Sequence, residues 1–299
     1  MNNSKQLDLI EAPLFEGSPT NGTELVFDVI SSVDHFKNLS VQKYVEKIDL
    51  NVEKDSFGTK NIKAVMTKCE SIRLSIANSL RDNHFPIVVG GDHSVAMSSI
   101  AADSEMFGIN NLAVIYIDGH CDINTEETST SHNIHGMPLA SSLGLCHKAL
   151  QVGPLKQKIF GNNLFILGAR SIDEPEFNII EDNKVNLYKN SEITNETLPS
   201  IFKDLQKSIG HKKVHISFDV DALDPSVLSS TGYVMPNGLS LEVVKNIIDF
   251  AFKNFDVISF DIVEYNPLLD KEKRDLKVVL DILDLVVDNV ESKDIKHIW

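Results

Sequence analysis

The sequence predicts an α/β fold built around a mostly parallel central sheet. Apolar runs that end at turn signals alternate along the chain with stretches of helical periodicity, which is the order expected of βαβ units. The strand candidates are apolar at almost every position instead of alternating with polar residues. Strands of this kind are covered by helices on both faces, as in parallel sheets.

The individual elements follow from these patterns in chain order. Residues 60–81 carry apolar side chains every three or four positions, which predicts a helix, and residues 86–89 form a short apolar run that predicts a strand. Residues 125–133 are polar and without a period, so we expect a loop there. The other predicted strands are 111–118, 164–168, 214–218 and 257–261, and the other predicted helices are 241–252 and 276–290.

Length and composition restrict the class of protein. The 299 residues, 42% of them apolar, suffice to bury the core of one large α/β domain, and we predict a single domain over residues 1–299. The formal net charge of −15 argues against nucleic acid or an anionic membrane as a partner, because both attract basic surfaces. Three cysteines without paired spacing, and the lack of an apolar run typical of a signal peptide or membrane span, predict a cytoplasmic protein.

Acids and histidines follow four of the predicted strands at the point where each strand ends. The segments are GGDHS (90–94), DGHCD (118–122), SFDVDALDPS (217–226) and FDIVEYNP (260–267). The carboxyl ends of parallel strands meet at one edge of a sheet, so these side chains are expected to converge. Buried acids without a compensating positive charge cost several kcal/mol, and the pattern therefore predicts a metal site.

The expected metal ligands are six side chains from three strands: His93, Asp118, His120, Asp122, Asp219 and Asp221. If extended geometry continues past the strand end, Asp118, His120 and Asp122 would face the same side, and Asp219 and Asp221 repeat that spacing. Four carboxylates balance two divalent cations. The set is rich in oxygen and lacks thiolate, so it suits Mn²⁺ better than structural zinc. A water between two such ions loses a proton near neutral pH and becomes a nucleophile.

Nearby candidates have plainer interpretations. Asp92 and Asp224 are expected to be loop residues or to support the ligands, and Cys121 should point away from its ligand neighbours and pack. The histidines without acidic neighbours in sequence are interpreted as surface or hydrogen-bonded core residues: His35, His84, His147, His211, His215 and His297.

Together the motifs resemble those of the ureohydrolases, and most of all the arginases. GGDHS, DGHCDIN with TSTSHNIHGMP, GARSIDEPE, SFDVDALDPS and DIVEYNP occur in the family's order and with similar spacing, from about residue 88 to 267. The resemblance implies a three-layer α/β/α sandwich, two Mn²⁺ ions per subunit, and hydrolysis of L-arginine to L-ornithine and urea by a metal-bridging hydroxide. It also implies a homo-oligomer, either a trimer or a hexamer.

The resemblance also implies a role for each matched residue. One manganese would be held by His93, Asp118, Asp122 and Asp219. The other would be held by Asp118, His120, Asp219 and Asp221, so that Asp118 and Asp219 bridge the ions. Glu264 matches the carboxylate that orients the guanidinium, and His135 matches the residue that transfers a proton to the leaving amine. The positions that bind the amino-acid head of the substrate fall on Asn124, Ser129, Ser131, Asn133, Asp173 and Glu176.

The segment 230–240 departs from the arginase pattern and leaves alternatives open. It reads STGYVMPNGLS where arginases typically have TGTP and then a Gly-Gly pair, so Tyr233 replaces a threonine near the active site. One alternative is a related amidinohydrolase acting on agmatine or another guanidino compound, and the other is a metal-binding homologue with weak catalysis. The Ser/Asn loop favours arginine. Its side chains offer hydrogen-bond donors to the α-carboxylate, and agmatine, which lacks this carboxylate, would leave those donors unpaired.

Overall fold

The computed structural model describes residues 6–33, 36, 40–42 and 58–296, so His35 and His297 lie outside the described residues. The strands are β1 (Leu7–Glu11), β2 (Ser40–Gln42), β3 (Phe85–Val89), β4 (Leu112–Ile117), β5 (Leu164–Ala169), β6 (Asn186–Lys189), β7 (Lys213–Asp219) and β8 (Asp256–Val263). The helices are α1 (Val26–Ser31), α2 (Ile62–Arg81), α3 (Ala96–Phe107), α4 (Pro138–Ser142), α5 (Glu174–Asp182), α6 (Leu198–Ile209), α7 (Leu241–Asn254) and α8 (Arg274–Lys296).

These strands form one sheet in the order β2-β1-β3-β8-β7-β4-β5-β6, and all of its pairings are parallel. The four strands in the middle, β3, β8, β7 and β4, are the ones followed by the four acidic segments. Because parallel strands end at the same edge, the sheet brings these segments to one place.

Helices cover both faces of the sheet and divide the core into two. Alternate residues of β4 enter opposite cores: Ile115 and Ile117 pack with α1, α6, α7 and α8, whereas Val114 and Tyr116 pack with α2, α3, α4 and α5. The predicted α/β/α sandwich is therefore confirmed. Within the described part of the chain, no helix is both long and apolar enough to cross a bilayer.

The predicted elements agree closely with the observed ones. β3, β4, β5, β7, β8, α2 and α7 each begin and end within two residues of the predicted bounds, and α8 extends further, to Lys296. α7 begins where predicted because the Ser240 side chain accepts a hydrogen bond from the backbone N–H of Val243 and caps the helix. Residues 125–133 form a loop, as expected. β1, β2, β6, α1, α3, α4, α5 and α6 were not predicted.

Candidate active site

The acidic segments converge on a cleft at the carboxyl edge of the sheet, with a cavity volume of about 230 Å³. Most of the candidate residues line it: His120, Asp122, Asn124, Ser129, Ser131, His135, Asp173, Glu176, Asp219, Asp221 and Glu264. Three candidates are buried just outside the lining. His93 and Asp118 are completely buried, and Asn133 is 5% exposed.

His93 is positioned by a sharp turn after β3. Gly90 and Gly91 both have positive φ, and a Cβ at Gly91 would lie 2.9 Å from the carbonyl oxygen of Ala12, so only glycine fits there. Beyond this turn, His93 Nε2 lies 3.0 Å from Ser217 Oγ in β7. A partner on one ring nitrogen fixes the direction in which the other nitrogen points, as is usual for metal-ligating histidines.

The other nitrogen of His93 faces carboxylate oxygens from two strands. Nδ1 lies 2.9 Å from Asp118 Oδ2, 3.3 Å from Asp122 Oδ2 and 3.1 Å from Asp219 Oδ2. Nevertheless, His93 Nδ1 and Asp118 Oδ2 are buried without a properly directed hydrogen bond. Buried polar atoms without a partner are rare in proteins, and an ion that is not in the coordinates is one standard explanation.

Two local turns leave one oxygen of each bridging candidate free. Asp118 Oδ1 accepts a hydrogen bond from the backbone N–H of His120 (2.6 Å), and Asp219 Oδ1 accepts one from that of Asp221 (2.8 Å). The expectation that extended geometry brings the ligands together is wrong, since β4 ends at Ile117 and Asp122 has φ 47°. The side chains converge because aspartate side chains bond the backbone into turns that bend the chain.

A second group of possible ligands adjoins the first. His120 Nδ1 lies 2.9 Å from Asp221 Oδ2 and 3.5 Å from Asp118 Oδ1. The two groups are His93, Asp118 and Asp122, and Asp118, His120 and Asp221, and within each group the ligand atoms lie within 4.8 Å of one another. Asp118 belongs to both. Asp219 belongs to neither, but its short distance to His93 Nδ1 associates it with the first.

The electrostatics of the cluster indicate excess negative charge. Burial and the neighbouring charges of Asp221 and Asp118 hold the pKa of Asp219 well above its usual range. Burial alone would lower the pKa of His93, but the carboxylates of Asp118, Asp122 and Asp219 together hold it well above its usual value. Both shifts report a concentration of carboxylates that a cation would relieve.

Glu264 and His135 contact each other at one side of the cleft. Glu264 has φ 64°, a conformation uncommon for a non-glycine residue, and its N–H donates to the carbonyl of Gly91 (2.9 Å). Its Oε1 accepts a hydrogen bond from the backbone N–H of His93 (3.0 Å) and lies 3.0 Å from His135 Nδ1. Burial alone would lower the pKa of His135, but Glu264 outweighs it and raises this pKa to about 9, which keeps the imidazole protonated at neutral pH.

Asn124, Asp173 and Glu176 form a connected wall on another side. The Asn124 side-chain amide donates to Asp173 Oδ2 (2.9 Å). The carboxylate of Glu176 accepts hydrogen bonds from the backbone N–H groups of Ile123 (3.1 Å) and Asp173 (2.8 Å) and so joins the loop after β4 to the start of α5. Burial raises the pKa of Glu176 to about 7.

Ser129 and Ser131 present hydroxyl groups to the cleft, and Asn133 lies behind them. The two hydroxyl oxygens are 3.4 Å apart, and Ser131 Oγ accepts a hydrogen bond from the backbone N–H of Asn133 (3.3 Å). Asn133 Oδ1 accepts a hydrogen bond from Lys60 Nζ (3.0 Å). Asn133 therefore supports the serine loop from outside the lining.

Tyr116 contacts two of the ligand candidates but was not predicted as a site residue. Its hydroxyl donates to Asp122 Oδ2 (2.8 Å), and its ring stacks on that of His93, with centroids 4.3 Å apart and an interplanar angle of 9°. The signal was available, because Tyr116 lies near the end of β4 and precedes Asp118 by two residues, the spacing at which side chains of an extended chain share a face. The same spacing separates Ser217 from Asp219.

The neighbouring residues behave as expected. Asp92 accepts hydrogen bonds from the backbone N–H groups of Gly17 and Ser94, and Asp224 accepts them from those of Ser226 and Gly238. Cys121 is completely buried in the core that contains α2 and α3. The interpretation of Asp92 and Asp224 as loop residues, and of Cys121 as packing, is confirmed.

A model of the Arginase family matches the chain over residues 12–285. The chain belongs to the arginase family. It is therefore a hydrolase acting on amidines with a small-molecule substrate, and the resemblance of its motifs to ureohydrolases and arginases is confirmed.

Individual arginases are similar along almost the whole chain. The arginase of Bacillus subtilis (strain 168) is 31% identical over 288 residues, which cover 94% of this chain and 97% of the relative. A crystal structure of arginase from this organism superposes with a TM-score of 0.83 at 29% identity, covering 94% of this chain and 98% of that one. The Entamoeba histolytica arginase in complex with L-ornithine has a TM-score of 0.82 at 28% identity, covering 95% and 99%.

Proposed function

We propose that this chain hydrolyses the guanidinium group of L-arginine to L-ornithine and urea at a dinuclear manganese centre. The observation that carries the proposal is the pair of overlapping ligand groups that share Asp118 in an acidic cleft. The choice of reaction is supported by relatives of 31–33% identity that are named arginases.

The residues present fit two divalent ions. The unpartnered buried atoms His93 Nδ1 and Asp118 Oδ2 are what a removed ligand would leave. One ion would be held by His93, Asp118, Asp122 and Asp219, and the other by Asp118, His120, Asp219 and Asp221. Four carboxylates then match two dications in charge, and oxygen-rich coordination without thiolate suits manganese. When bound, such a pair supplies the nucleophile by lowering the pKa of a shared water.

The cleft suits a cationic substrate. Among the described residues that line it there are six acids and no lysine or arginine. Two bound dications would neutralise Asp118 and three of the lining acids, Asp122, Asp219 and Asp221. Asp173, Glu176 and Glu264 then remain for the positive groups of the substrate. The planar guanidinium and the α-amino group both carry such a charge.

Glu264 and His135 would handle the reacting group. Glu264 accepts the guanidinium N–H groups in a paired geometry, and its unusual backbone conformation aims the carboxylate into the cleft. His135, protonated beside Glu264, gives a proton to the nitrogen that becomes the side-chain amine of ornithine as the C–N bond breaks. Without this proton the nitrogen would leave as an unstable anion.

The amino-acid head of the substrate would meet the wall of neutral donors and acids. Asn124, Ser129 and Ser131 offer the α-carboxylate hydrogen-bond donors, with Asn133 in support, and Asp173 and Glu176 lie near the α-amino group. This arrangement suits a zwitterionic head directly or through water.

The assay is release of urea and ornithine from L-arginine by the Mn²⁺-loaded protein, with agmatine as the comparison. We expect both products in equal amounts. Asp221→Asn removes a ligand charge and should abolish turnover, whereas Asp281→Asn makes the same chemical change on an exposed residue of α8 and should not. Loss of activity in both variants, or in neither, would count against the proposed centre.

A second candidate is hydrolysis of a decarboxylated guanidino compound such as agmatine. Two observations favour it: among the described residues that line the cleft there is no lysine or arginine to pair with a carboxylate, and Asn133 lies outside the lining. Turnover of agmatine with L-arginine inert would select this candidate. Metal uptake without turnover of any guanidino compound would instead indicate a catalytically weak metal-binding homologue.

We also infer that the chain assembles into a trimer or hexamer, as the family resemblance implies. Light scattering of the Mn²⁺-loaded protein measures this directly, and a monomer at micromolar concentration would contradict it.

A further inference from the structure

Tyr233 is the only Phe, Tyr or Trp side chain among the described residues that line the catalytic cleft. Its ring centroid lies 5.6 Å from that of His135, at an interplanar angle of 32°, and 5.9 Å from that of His120, at 75°. The ring thus spans the side of the cleft between the proposed proton donor and a proposed metal ligand. With 40% of the residue exposed, it also reaches the solvent at the mouth.

The loop that carries this tyrosine is fixed on both sides. Asp275 at the start of α8 accepts hydrogen bonds from the backbone N–H groups of Ser229 (2.8 Å) and Ser230 (2.9 Å). On the other side, the N–H of Gly238 donates to Asp224 Oδ2 (3.0 Å). The aromatic ring is therefore presented to the cleft from an anchored backbone.

The chemistry of the ring suits a guanidinium group. Guanidinium groups are planar and weakly hydrated, and they stack on aromatic faces, where the ring quadrupole attracts the cation. In a cleft of about 230 Å³, the same ring takes up space that an alkyl group on a terminal guanidinium nitrogen would need.

We propose that Tyr233 determines specificity: its ring stacks on a guanidinium whose terminal nitrogens are unsubstituted and excludes one that carries an alkyl group on a terminal (Nω) nitrogen. The proposal rests on the proposed function in one respect, since guanidino compounds must enter this cleft.

The test compares L-arginine with Nω-methyl-L-arginine in the Mn²⁺-loaded wild type, Tyr233→Ala and Tyr233→Phe, by ornithine release. Both substrates give ornithine, with urea or N-methylurea as the second product. Tyr233→Ala should shift the ratio of kcat/KM toward the methylated substrate by about tenfold or more, the scale on which one methyl group is discriminated in a pocket. Tyr233→Phe keeps the ring and should keep the wild-type ratio.

Three results would overturn the assignment. The ratio could be unchanged in Tyr233→Ala, or Tyr233→Phe could shift it equally, which would implicate the hydroxyl. Loss of manganese from Tyr233→Ala, measured by metal analysis, would assign the ring to supporting His120 instead.

Failure of the proposed function has a separate signature. If the wild type hydrolyses no guanidino compound, the proposed function fails, and calorimetric affinities for the same two compounds then decide the role of Tyr233. Preference of the wild type for L-arginine that disappears in Tyr233→Ala supports it. An equal affinity for the two compounds, or no binding of either, overturns it.

Discussion

Asp118 and Asp219 each use one carboxylate oxygen to bend the backbone and leave the other free. The bonds to the N–H groups of His120 and Asp221 consume Oδ1, so Oδ2 of each aspartate faces His93 Nδ1. An Asp-x-His or Asp-x-Asp sequence therefore encodes both the turn and the direction of the ligand atoms. This is why the predicted ligand candidates converge although the predicted extended geometry was wrong.

Tyr116 supplies a first prediction at the level of single residues. Its hydroxyl orients Asp122 through a 2.8 Å hydrogen bond. Tyr116→Phe removes only this donor, and loss of a group that orients a metal ligand typically lowers affinity about 10–100-fold. We expect such a fall in manganese titrations with the fold intact. Tyr188→Phe in β6 is the matched control, and equal affinity in the two variants would contradict the role.

Glu264 supplies a second prediction at the level of single residues. Glu264→Gln keeps the shape of the side chain but removes the charge that would hold the guanidinium. We expect kcat/KM for L-arginine to fall by about 10²–10³, the effect of removing one well-placed electrostatic partner. The exposed Glu196→Gln is the control. If Glu264→Gln retained full activity with normal manganese content, the guanidinium would have to be held elsewhere.

At the level of elements, a buried ionic cluster joins the strands β7 and β8 to the helix α3. His215 Nε2 lies 3.2 Å from Asp261 Oδ2, and Nδ1 lies 3.3 Å from Asp103 Oδ2 and 2.8 Å from Ser259 Oγ. Burial alone would lower the pKa of His215, but Asp261 and Asp103 raise it to about 10. His215 was expected to be a surface or hydrogen-bonded core histidine, and it is a core one.

Removing this imidazolium should destabilise the fold. His215→Gln leaves two buried carboxylates without a cation, which typically costs about 3–5 kcal/mol. Lys213→Gln breaks the exposed ion pair with Asp256 at the start of the same strands, where the loss is about 0–1 kcal/mol. Denaturant unfolding at constant manganese measures both. Equal small losses would contradict the importance of the buried cluster.

The same cluster predicts a pH dependence. Because the folded-state pKa of His215 is raised, its contribution is fully present below about pH 6.5, declines as pH rises, and is lost above about pH 10. The difference in unfolding free energy between wild type and His215→Gln should shrink across this window. A difference that grew with pH would show that His215 is neutral in the folded protein.

The predicted and missed elements differ in polarity. β4 was found because both faces of a central parallel strand are buried and its residues are apolar throughout, and β7 was found by its apolar residues Val214, Ile216 and Phe218. β6, NLYK, lies at an edge of the sheet with no fully buried residue, and β1 contains Asp8, so neither stands out as an apolar run. Edge strands carry less hydrophobic signal because one side of them meets solvent or loops.

At the level of the whole molecule, the sheet collects negative charge at one edge. The same edge receives Glu264 from β8 and the ligand candidates that follow β3, β4 and β7, while the formal net charge of the chain is −15. Assembling these acids opposes folding unless cations bind. Asp122, which has φ 47°, lies beside His93, and the ring of Tyr233 lies beside His120 and His135. These are contacts between distant segments of the chain, so the sequence alone could not predict them.

Manganese should therefore stabilise the whole fold. A ligand that binds only the folded state adds about 2.7 kcal/mol at a free concentration 100 times its Kd. We expect thermal unfolding of the wild type to shift upward on loading and to return on chelation. Asp221→Asn should show a smaller shift, and an identical shift in this variant would mean that the ions stabilise the protein from another site.

The most direct measurement is an anomalous difference map from crystals of the Mn²⁺-loaded chain. We expect two peaks on either side of Asp118, one next to His93 and Asp122 and the other next to His120 and Asp221. A well-ordered cleft without a peak at these side chains would contradict this expectation.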